Sequence, residues 1–321
     1  MKTRTAIVSI VLGALASVGA AAQDYPSRAV KIIVPFSPGG PGDLTARFVA
    51  QELQATLSRP FIVENRPGAN GVVAAAAAAK APADGYTLLQ ISSSHTVNES
   101  LIPNRQYELM RDLDPVASLN YTEMVMMVTN GLAAKNVREF IQLAKSKPGA
   151  MNYASSGNGS AYHMAGELFK TMAGVSVTHV PYKTAAAART DLVGGHVEMM
   201  FDALPAGVEL VRGGKVRALA TTAKARSSAL PDVPTVDEAG LPGFESTIFI
   251  GLMAPKGTPT PIIEKLHSEI NKVLSRPESR EFWRKQGAQP MVTTRQEFTR
   301  FLHADIAQGA KLVKISGAKV D

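Results

Sequence analysis

Residues 30–43 read VKIIVPFSPGGPGD, an apolar run followed directly by a glycine-rich loop that leads into a helical pattern from Asp43 to Leu57. A second loop of this kind, Ser155 to Ser160, follows the short apolar run from Met151 to Ala154. The start of a helix leaves backbone N–H groups unpaired and carries about half a positive charge, so each loop is a candidate cradle for an anion. Two such loops, far apart in the chain, indicate two lobes that close on one anion.

Strand-like and helix-like runs alternate along the rest of the chain. The predicted strands are Phe61–Val63, Tyr86–Ile91, parts of Asp112–Leu119 and Met124–Thr129, Gly174–Val180, Val197–Phe201 and Val216–Thr221. The predicted helices are Val72–Ala81, Val137–Lys147, Ala185–Val193, Pro259–Leu274 and Gln296–Leu312, and Ser92–His95 is predicted to be a polar loop. Such alternation is typical of doubly wound α/β lobes with parallel or mixed sheets. Ligands of these folds bind beyond the carboxyl ends of the strands, where both glycine loops would lie.

The N-terminal residues have the pattern of a cleavable signal peptide. Lys2 and Arg4 form a basic region, Ile7–Val18 is almost wholly apolar, and Ala20 to Ala22 has the small residues of a cleavage site. A membrane-spanning helix needs roughly 20 apolar residues, so this stretch is too short to be one. We expect residues 1–22 to be removed after Ala22 and the mature protein to be exported.

The composition favours a two-domain globular protein that binds small anions. About 300 mature residues exceed the size at which a single core stops growing. Loss of Lys2 and Arg4 lowers the formal charge from +7 to +5, because residues 1–22 hold no acidic side chain. The basic residues are scattered, which argues against nucleic-acid binding. The chain has no cysteine, its six histidines lack metal-ligand spacing, and neither loop reads G-x-G-x-x-G, so we expect no metal and no cofactor.

Several motifs carry a resemblance to a known family, in matching order and spacing. They are YPSRAVKIIVPFSPGGPGDLTAR (Tyr25–Arg47), ENRPGANG (Glu64–Gly71), DGYTLL (Asp84–Leu89), YASSGNGSAYH (Tyr153–His163), HVPYK (His179–Lys183), LPDVPTVDEAG (Leu230–Gly240) and GLMAPKGTP (Gly251–Pro259). The chain resembles the solute receptors of tripartite tricarboxylate transporters, the Bug family.

The resemblance implies a fold of two α/β domains hinged around a cleft, similar to type II periplasmic binding proteins. Residues 23–124 and 246–321 would form a discontinuous first domain and residues 125–245 the second. The chain would cross between them near Tyr121–Val125 and Phe244–Phe249. The implied function is that of a monomeric periplasmic receptor that hands a small carboxylate to membrane permease subunits. Candidate ligands are di- and tricarboxylates, acidic amino acids and aromatic acids.

The resemblance also implies that both glycine loops clamp ligand carboxylates, largely through backbone amides and ordered water. With the neighbouring strand ends, the predicted ligand-binding residues are Ser37, Pro38, Gly39, Gly40, Ser92, Ser93, Ser94, Asn98, Ser155, Ser156, Gly157, Tyr182, Thr184 and Asp202. These loops are poor in Arg and Lys, so recognition should rest on neutral donors. For Asp202, a ligand amine or N–H and a plain backbone bond remain alternatives.

Two nearby residues are expected to be structural instead. Asp43 is expected to be the N-cap of the first helix, because its carboxylate would satisfy N–H groups and repel an anion. His163, within the helix that follows the second loop, is expected to be a hydrogen-bonding group of the structure.

The chain departs from the family pattern at three places. Thr184 followed by Ala185–Ala188 stands where the family usually has glycine, and Phe249 stands where tryptophan is common. Both changes could reshape the pocket, so specificity cannot be copied from a relative. Ala74–Ala79 replaces a more varied stretch and is expected to be helix surface.

Two other classes of function remain open. Ser155 or Ser160 with His163 and Asp202 could form a hydrolase triad, but the chain lacks the G-x-S-x-G nucleophile elbow. We therefore expect no catalytic residue and no enzyme. A receptor that senses a carboxylate without delivering it is the other alternative, and only an uptake measurement separates it from transport.

Overall fold

The computed structural model describes residues 25–319. The predicted signal peptide and its cleavage site after Ala22 lie outside the described residues.

Strands and helices alternate through most of this length. The strands are β1 (Val30–Val34), β2 (Phe61–Asn65), β3 (Thr87–Ser92), β4 (Leu113–Thr129), β5 (Asn152–Ser155), β6 (Thr178–Pro181), β7 (Met199–Ala203), β8 (Val216–Thr221), β9 (Thr247–Pro255) and β10 (Gln289–Pro290). The helices are α1 (Pro41–Leu57), α2 (Val72–Ala79), α3 (Ser93–Leu101), α4 (Leu109–Asp112), α5 (Val137–Ser146), α6 (Ala161–Ala173), α7 (Ala185–Gly194), α8 (Leu204–Arg212), α9 (Thr260–Ser275), α10 (Pro277–Lys285) and α11 (Arg295–Ser316), with a 3-10 turn at Ala69–Gly71 before α2.

The strands form a mixed sheet in the order β2-β1-β3-β9-β4-β7-β5-β6, and β8 and β10 also pair with β4. In β4, residues up to Glu123 pair with β9, whereas residues from Met124 onward pair with β7 and β8. This change of partner divides the molecule. We call β1, β2, β3, β9, β10 and the first part of β4, with their helices, the first lobe. The second lobe contains β5 to β8 and the rest of β4.

Each lobe has its own apolar core. In the first lobe, Ile32, Leu88 and Trp283 are buried in one cluster between the sheet and helices α1, α9 and α10. In the second lobe, Phe140 and Phe169 pack edge to face under the sheet. The predicted doubly wound two-domain α/β fold is therefore confirmed at the level of its class.

A smaller cluster joins the lobes beside the sheet. It brings Val97 and Leu101 of α3 and Leu312 of α11 together with Met164 of α6. The C-terminal helix thus contacts both lobes, and apolar side chains stabilise their approach.

The structure corrects several local predictions. The two short strands predicted within 112–129 are one continuous strand, β4. The polar loop predicted at Ser92–His95 is wrong, because Ser93 already begins α3. Helices α4, α8 and α10 were not predicted. Among the described residues, no helix is both long enough and apolar enough to cross a bilayer.

Candidate functional site

The strand ends of both lobes meet at the place where β4 changes partners. Glu123 pairs with Thr247, the first residue of β9, and Met124 pairs with Ala203, the last residue of β7. Strands β1 and β3 run antiparallel to β9, and β5 runs parallel to β7. The carboxyl ends of the parallel strands in both lobes are therefore directed to the junction, as expected for a ligand cleft in a doubly wound fold.

The second glycine loop reaches the first lobe directly. A Cβ built on Gly159 would lie 2.1 Å from Leu101 Cδ2 and 3.5 Å from Asn70 Nδ2. Asn70 belongs to the 3-10 turn after β2, where it has a positive φ of 53°. The second glycine loop therefore lies against the first lobe.

The first glycine loop, Ser37–Gly40, is tied down by Asp43. Gly40 is the N-cap of α1, so the expectation that Asp43 caps this helix is wrong. Asp43 is buried at the third helical position, and its Oδ2 accepts the Gly39 N–H at 2.9 Å and Arg47 Nε at 2.8 Å. Burial alone would raise the pKa of Asp43, but hydrogen bonds from Arg47, Gly39 and Asn65 outweigh it and lower that pKa. The chain's own carboxylate already uses the Gly39 amide.

The exposed part of this loop is still available to a ligand. Ser37, Pro38 and Gly39 are exposed and Gly40 is half-buried. A Cβ on Gly40 would meet only the Ser37 carbonyl oxygen, at 3.7 Å, and Gly40 has an ordinary φ of −80°. Steric access, and not a left-handed backbone, is what glycine provides at this position.

The second loop is held from beneath by Ser155. This side chain is fully buried, and its hydroxyl lies 3.1 Å from both the Gly157 N–H and the Gly157 carbonyl oxygen. The same hydroxyl lies 2.6 Å from His179 Nε2. Ser156 and Gly157 are half-buried. Ser155 therefore shapes the loop, while Ser156 and Gly157 remain partly accessible.

Two stacked imidazoles complete this support. His163 Nδ1 accepts the Gly159 N–H at 3.0 Å, and its ring lies 3.9 Å from that of His179 at an interplanar angle of 11°. Burial lowers the pKa of His163. Burial, together with the nearby His163 and Lys170, lowers the pKa of His179 to about 3. Both rings are neutral at physiological pH, and the expected structural role of His163 is confirmed.

The predicted residues around α3 have different surroundings. Ser93 Oγ accepts the Phe249 N–H at 3.2 Å, and Asn98 exchanges side-chain and backbone hydrogen bonds with Asn70 at 2.9 Å. Ser92 and Ser94 instead line a cavity of about 140 Å³. Ser93 and Asn98 thus hold the backbone in place, while Ser92 and Ser94 line the cavity.

The predicted residues of the second lobe are mostly paired within the protein. The Tyr182 hydroxyl donates to Asp191 at 2.6 Å, and Thr184 caps α7 by accepting the Ala187 N–H. Asp202 is fully buried, and its two oxygens accept from Arg189 Nη1 and from the Ala203 N–H, each at 2.9 Å. Arg189, which the sequence analysis did not single out, supplies the positive charge next to Asp202.

The hydrolase triad considered from the sequence is not assembled. Ser155 is buried and contacts His179, while Ser160 is the helix N-cap and its Oγ accepts the His163 backbone N–H at 3.2 Å. The His163 ring binds the Gly159 backbone amide, and Asp202 binds Arg189. The described residues also contain no group of three or more His, Asp or Glu side chains placed to hold a metal ion.

Sequence reasoning missed Asn70, His95 and His179 as well as Arg189. One signal for the histidines is present in the chain, since Ser-x-x-His occurs at the start of α3 (Ser92 to His95) and again at the start of α6 (Ser160 to His163). In both places the histidine occupies the third helical position and its Nδ1 accepts a backbone N–H. Glu or Gln is the usual residue there.

The family profile described as tripartite tricarboxylate transporter family receptor matches residues 45–317. The chain belongs to this family. The predicted resemblance to Bug-type receptors is confirmed by its relatives as well. Protein BugT of Bordetella pertussis is 38% identical over 301 residues, which cover 93% of this chain and 92% of BugT.

Solved structures of this receptor family share the fold. A Rhodopseudomonas palustris protein solved with adipate is 36% identical with a TM-score of 0.80, over 92% of this chain and 99% of that one. MatC from the same species, solved with bound malate, is 33% identical with a TM-score of 0.76, over 90% of this chain and all of MatC. Both neighbours hold a small dicarboxylate.

Proposed function

We propose that this protein is a periplasmic receptor that captures a small carboxylate between its two lobes and delivers it to a tripartite tricarboxylate-type permease. The main support for the proposal is that the two lobes, each of which bears one glycine loop, meet at one junction. There Gly159 lies against Asn70 and Leu101. The signal-peptide pattern of residues 1–22 supports export. No catalytic residue is part of the proposal.

The proposed domains are residues 23–124 with 246–321, and residues 125–245. The hinges lie near Tyr121–Val125 and Phe244–Phe249, which include the point where β4 changes partners. Ligand binding between the domains would favour their closed arrangement, as in other receptors that close by hinge motion.

The predicted ligand-binding residues are proposed to act in two ways. Ser37, Pro38, Gly39, Gly40, Ser94, Ser156, Gly157 and Tyr182 are at least partly accessible and are proposed to face the ligand. Ser93, Asn98, Ser155, Thr184 and Asp202 are proposed to act by holding the contacting segments in place. Because Arg189 already compensates Asp202, a dicarboxylate fits this lobe better than a ligand with a free amine.

A thermal-shift screen of the mature protein tests the proposal. The panel contains adipate, malate, citrate, glutamate and benzoate. A ligand at 100 times its Kd should add about 2.7 kcal/mol to the free energy of unfolding. Absence of a shift with every member, or recovery of a chemically altered ligand, would refute the binding role. Carboxylate uptake by a strain that lacks the gene separates transport from sensing, because a sensor would leave uptake unchanged.

A further inference from the structure

A small cavity opens at the N-terminus of helix α3, at the carboxyl end of β3. Its volume is about 140 Å³, and its lining includes Phe36, Asn70, Ser92, Ser94 and His95. A water molecule occupies about 30 Å³ of liquid, so the cavity has room for a carboxylate group. Asn70 also contacts the second lobe through Gly159, so the cavity borders the interface at which the lobes close.

His95 is one of the lining residues and has an unused hydrogen-bond donor, Nε2, which packs against Gly71 at the cavity wall. The side chain is fully buried, and its Nδ1 accepts the Ser92 N–H at 3.2 Å. Burial lowers the pKa of His95 to about 4, so the ring is neutral and carries its one proton on Nε2. Among the described residues, that Nε2 atom has no hydrogen-bond partner. A buried donor without a partner is unfavourable, and a ligand oxygen would supply the missing acceptor.

The same helical position is occupied differently in the helices after the two glycine loops. In α1 it holds Asp43, whose carboxylate binds Gly39 and Arg47. In α6 it holds His163, whose Nε2 lies 3.9 Å from Glu167 Oε1. Helix α3 has no acidic residue in its first turn, and His95 Nε2 has no carboxylate beside it. Of the three side chains at this position, His95 is the one with a buried polar atom that has no partner in the described part of the chain, although Thr96 in the same turn donates to Asp305 at 2.5 Å.

We propose that one carboxylate of the captured ligand enters this cavity and accepts a hydrogen bond from His95 Nε2–H at the positive end of α3. The proposal rests on the carboxylate-receptor function and adds a specific donor to it. The unpaired N–H groups and dipole of a helix start favour an anion there. A neutral imidazole donates without bringing a counter-charge, which agrees with recognition by neutral groups. Contact with Asn70 links occupancy of the cavity to closure of the lobes.

Two substitutions of His95 separate its donor from its structural bond. His95→Glu keeps an acceptor for the Ser92 N–H, since Glu is a favoured residue at this position, but it places a negative charge at the cavity. His95→Gln keeps the acceptor and remains neutral. The matched control is His303→Gln, because His303 is exposed on α11. Thermal unfolding without ligand checks that each variant folds.

Calorimetry with adipate and with malate measures the effect. We expect His95→Glu to weaken binding at least about 100-fold and His95→Gln to weaken it up to about tenfold, while His303→Gln binds like the wild type. In protein with ¹⁵N-labelled histidine, saturating ligand should shift the His95 Nε2–H resonance, which a purely structural role would leave in place.

The outcomes distinguish two failures. Wild-type protein that binds no carboxylate of the screening panel would overturn the receptor function and this inference with it. A wild type that binds, beside a folded His95→Glu variant with affinity within about threefold of it, would overturn this inference alone. An unmoved His95 Nε2–H resonance at saturation would do the same.

Discussion

Arg189→Ala should destabilise the second lobe far more than removal of a surface arginine does. Asp202 is fully buried, whereas the Arg189 side chain keeps 27% of its exposure. Removing one partner of a buried ion pair costs about 3–5 kcal/mol, because the other charge is left uncompensated. Asp202 keeps its bond from the Ala203 N–H, so we expect the lower end, about 3 kcal/mol. For about 300 mature residues, that corresponds to a fall in Tm of about 5 °C.

The pH dependence gives this prediction a second signature. Burial already raises the pKa of Asp202, against the opposing bonds from Arg189 and Ala203, and loss of the guanidinium should raise it further. A carboxyl group whose pKa is raised on folding favours the folded state below its unfolded pKa, and that stability is lost as pH rises through the folded pKa. Arg189→Ala should therefore lower the free energy of unfolding by more at pH 7.5 than at pH 4.5.

Urea denaturation of four proteins decides the matter. They are the wild type, Arg189→Ala, the double variant Arg189→Ala/Asp202→Asn, and Arg284→Ala as the control. Arg284 pairs with Glu281 on the surface, at 72% and 47% side-chain exposure, so its loss should leave the free energy of unfolding nearly unchanged. The double variant should recover most of the stability, because no buried charge remains. A single variant as stable as the control, or a double variant no better than the single one, would refute the reasoning.

Three further predictions concern the loops and their support. Gly42→Ala places a Cβ 2.2 Å from a ring carbon of Phe36, so thermal unfolding should show a free energy of unfolding lower by about 1–3 kcal/mol. In Gly40→Ala the nearest atom lies at 3.7 Å, so the free energy of unfolding should stay within about 1 kcal/mol of the wild type. Gly159→Ala would place a Cβ 2.1 Å from a leucine of the first lobe, so X-ray scattering with saturating ligand should give a larger radius of gyration than the wild type; an equal radius would contradict this. Because burial lowers the pKa of His163 and that of His179, the unfolded chain binds protons first, and the free energy of unfolding should fall as pH drops from about 6.5 toward 4; a flat profile would contradict it.

Local sequence patterns predicted the strands and helices that are determined by interactions between neighbouring residues. The apolar run and glycine loop at residues 30–43 predict β1 and the start of α1, and Pro41 at the first helical position agrees with that start. The pattern did not predict that Ser93 begins a helix, because serine favours caps and turns. A distant contact helps to fix this segment, since Ser93 Oγ binds the backbone of Phe249.

The sequence predicted which loops form the candidate site, but not what each residue does there. The sequence places Gly39 in a glycine loop, but only the folded chain brings its amide to Asp43. It likewise places Ser155 next to Ser156, although Ser155 is turned inward to His179 and Ser156 stays accessible. Roles of this kind depend on which atoms the fold leaves without a partner, as with His95 Nε2, and sequence spacing does not contain that information.

The continuous strand β4 also constrains the order in which the molecule can be completed. Its second part pairs with β7 and β8, so every strand of the second lobe is present once residue 221 has emerged. Its first part pairs with β9, which begins at Thr247. A chain that emerges from its N-terminus can therefore finish the sheet of the second lobe while β3 and the first part of β4 still lack the strand between them. Unpaired strand edges promote aggregation, so the interval before β9 arrives is when this protein would benefit most from a chaperone.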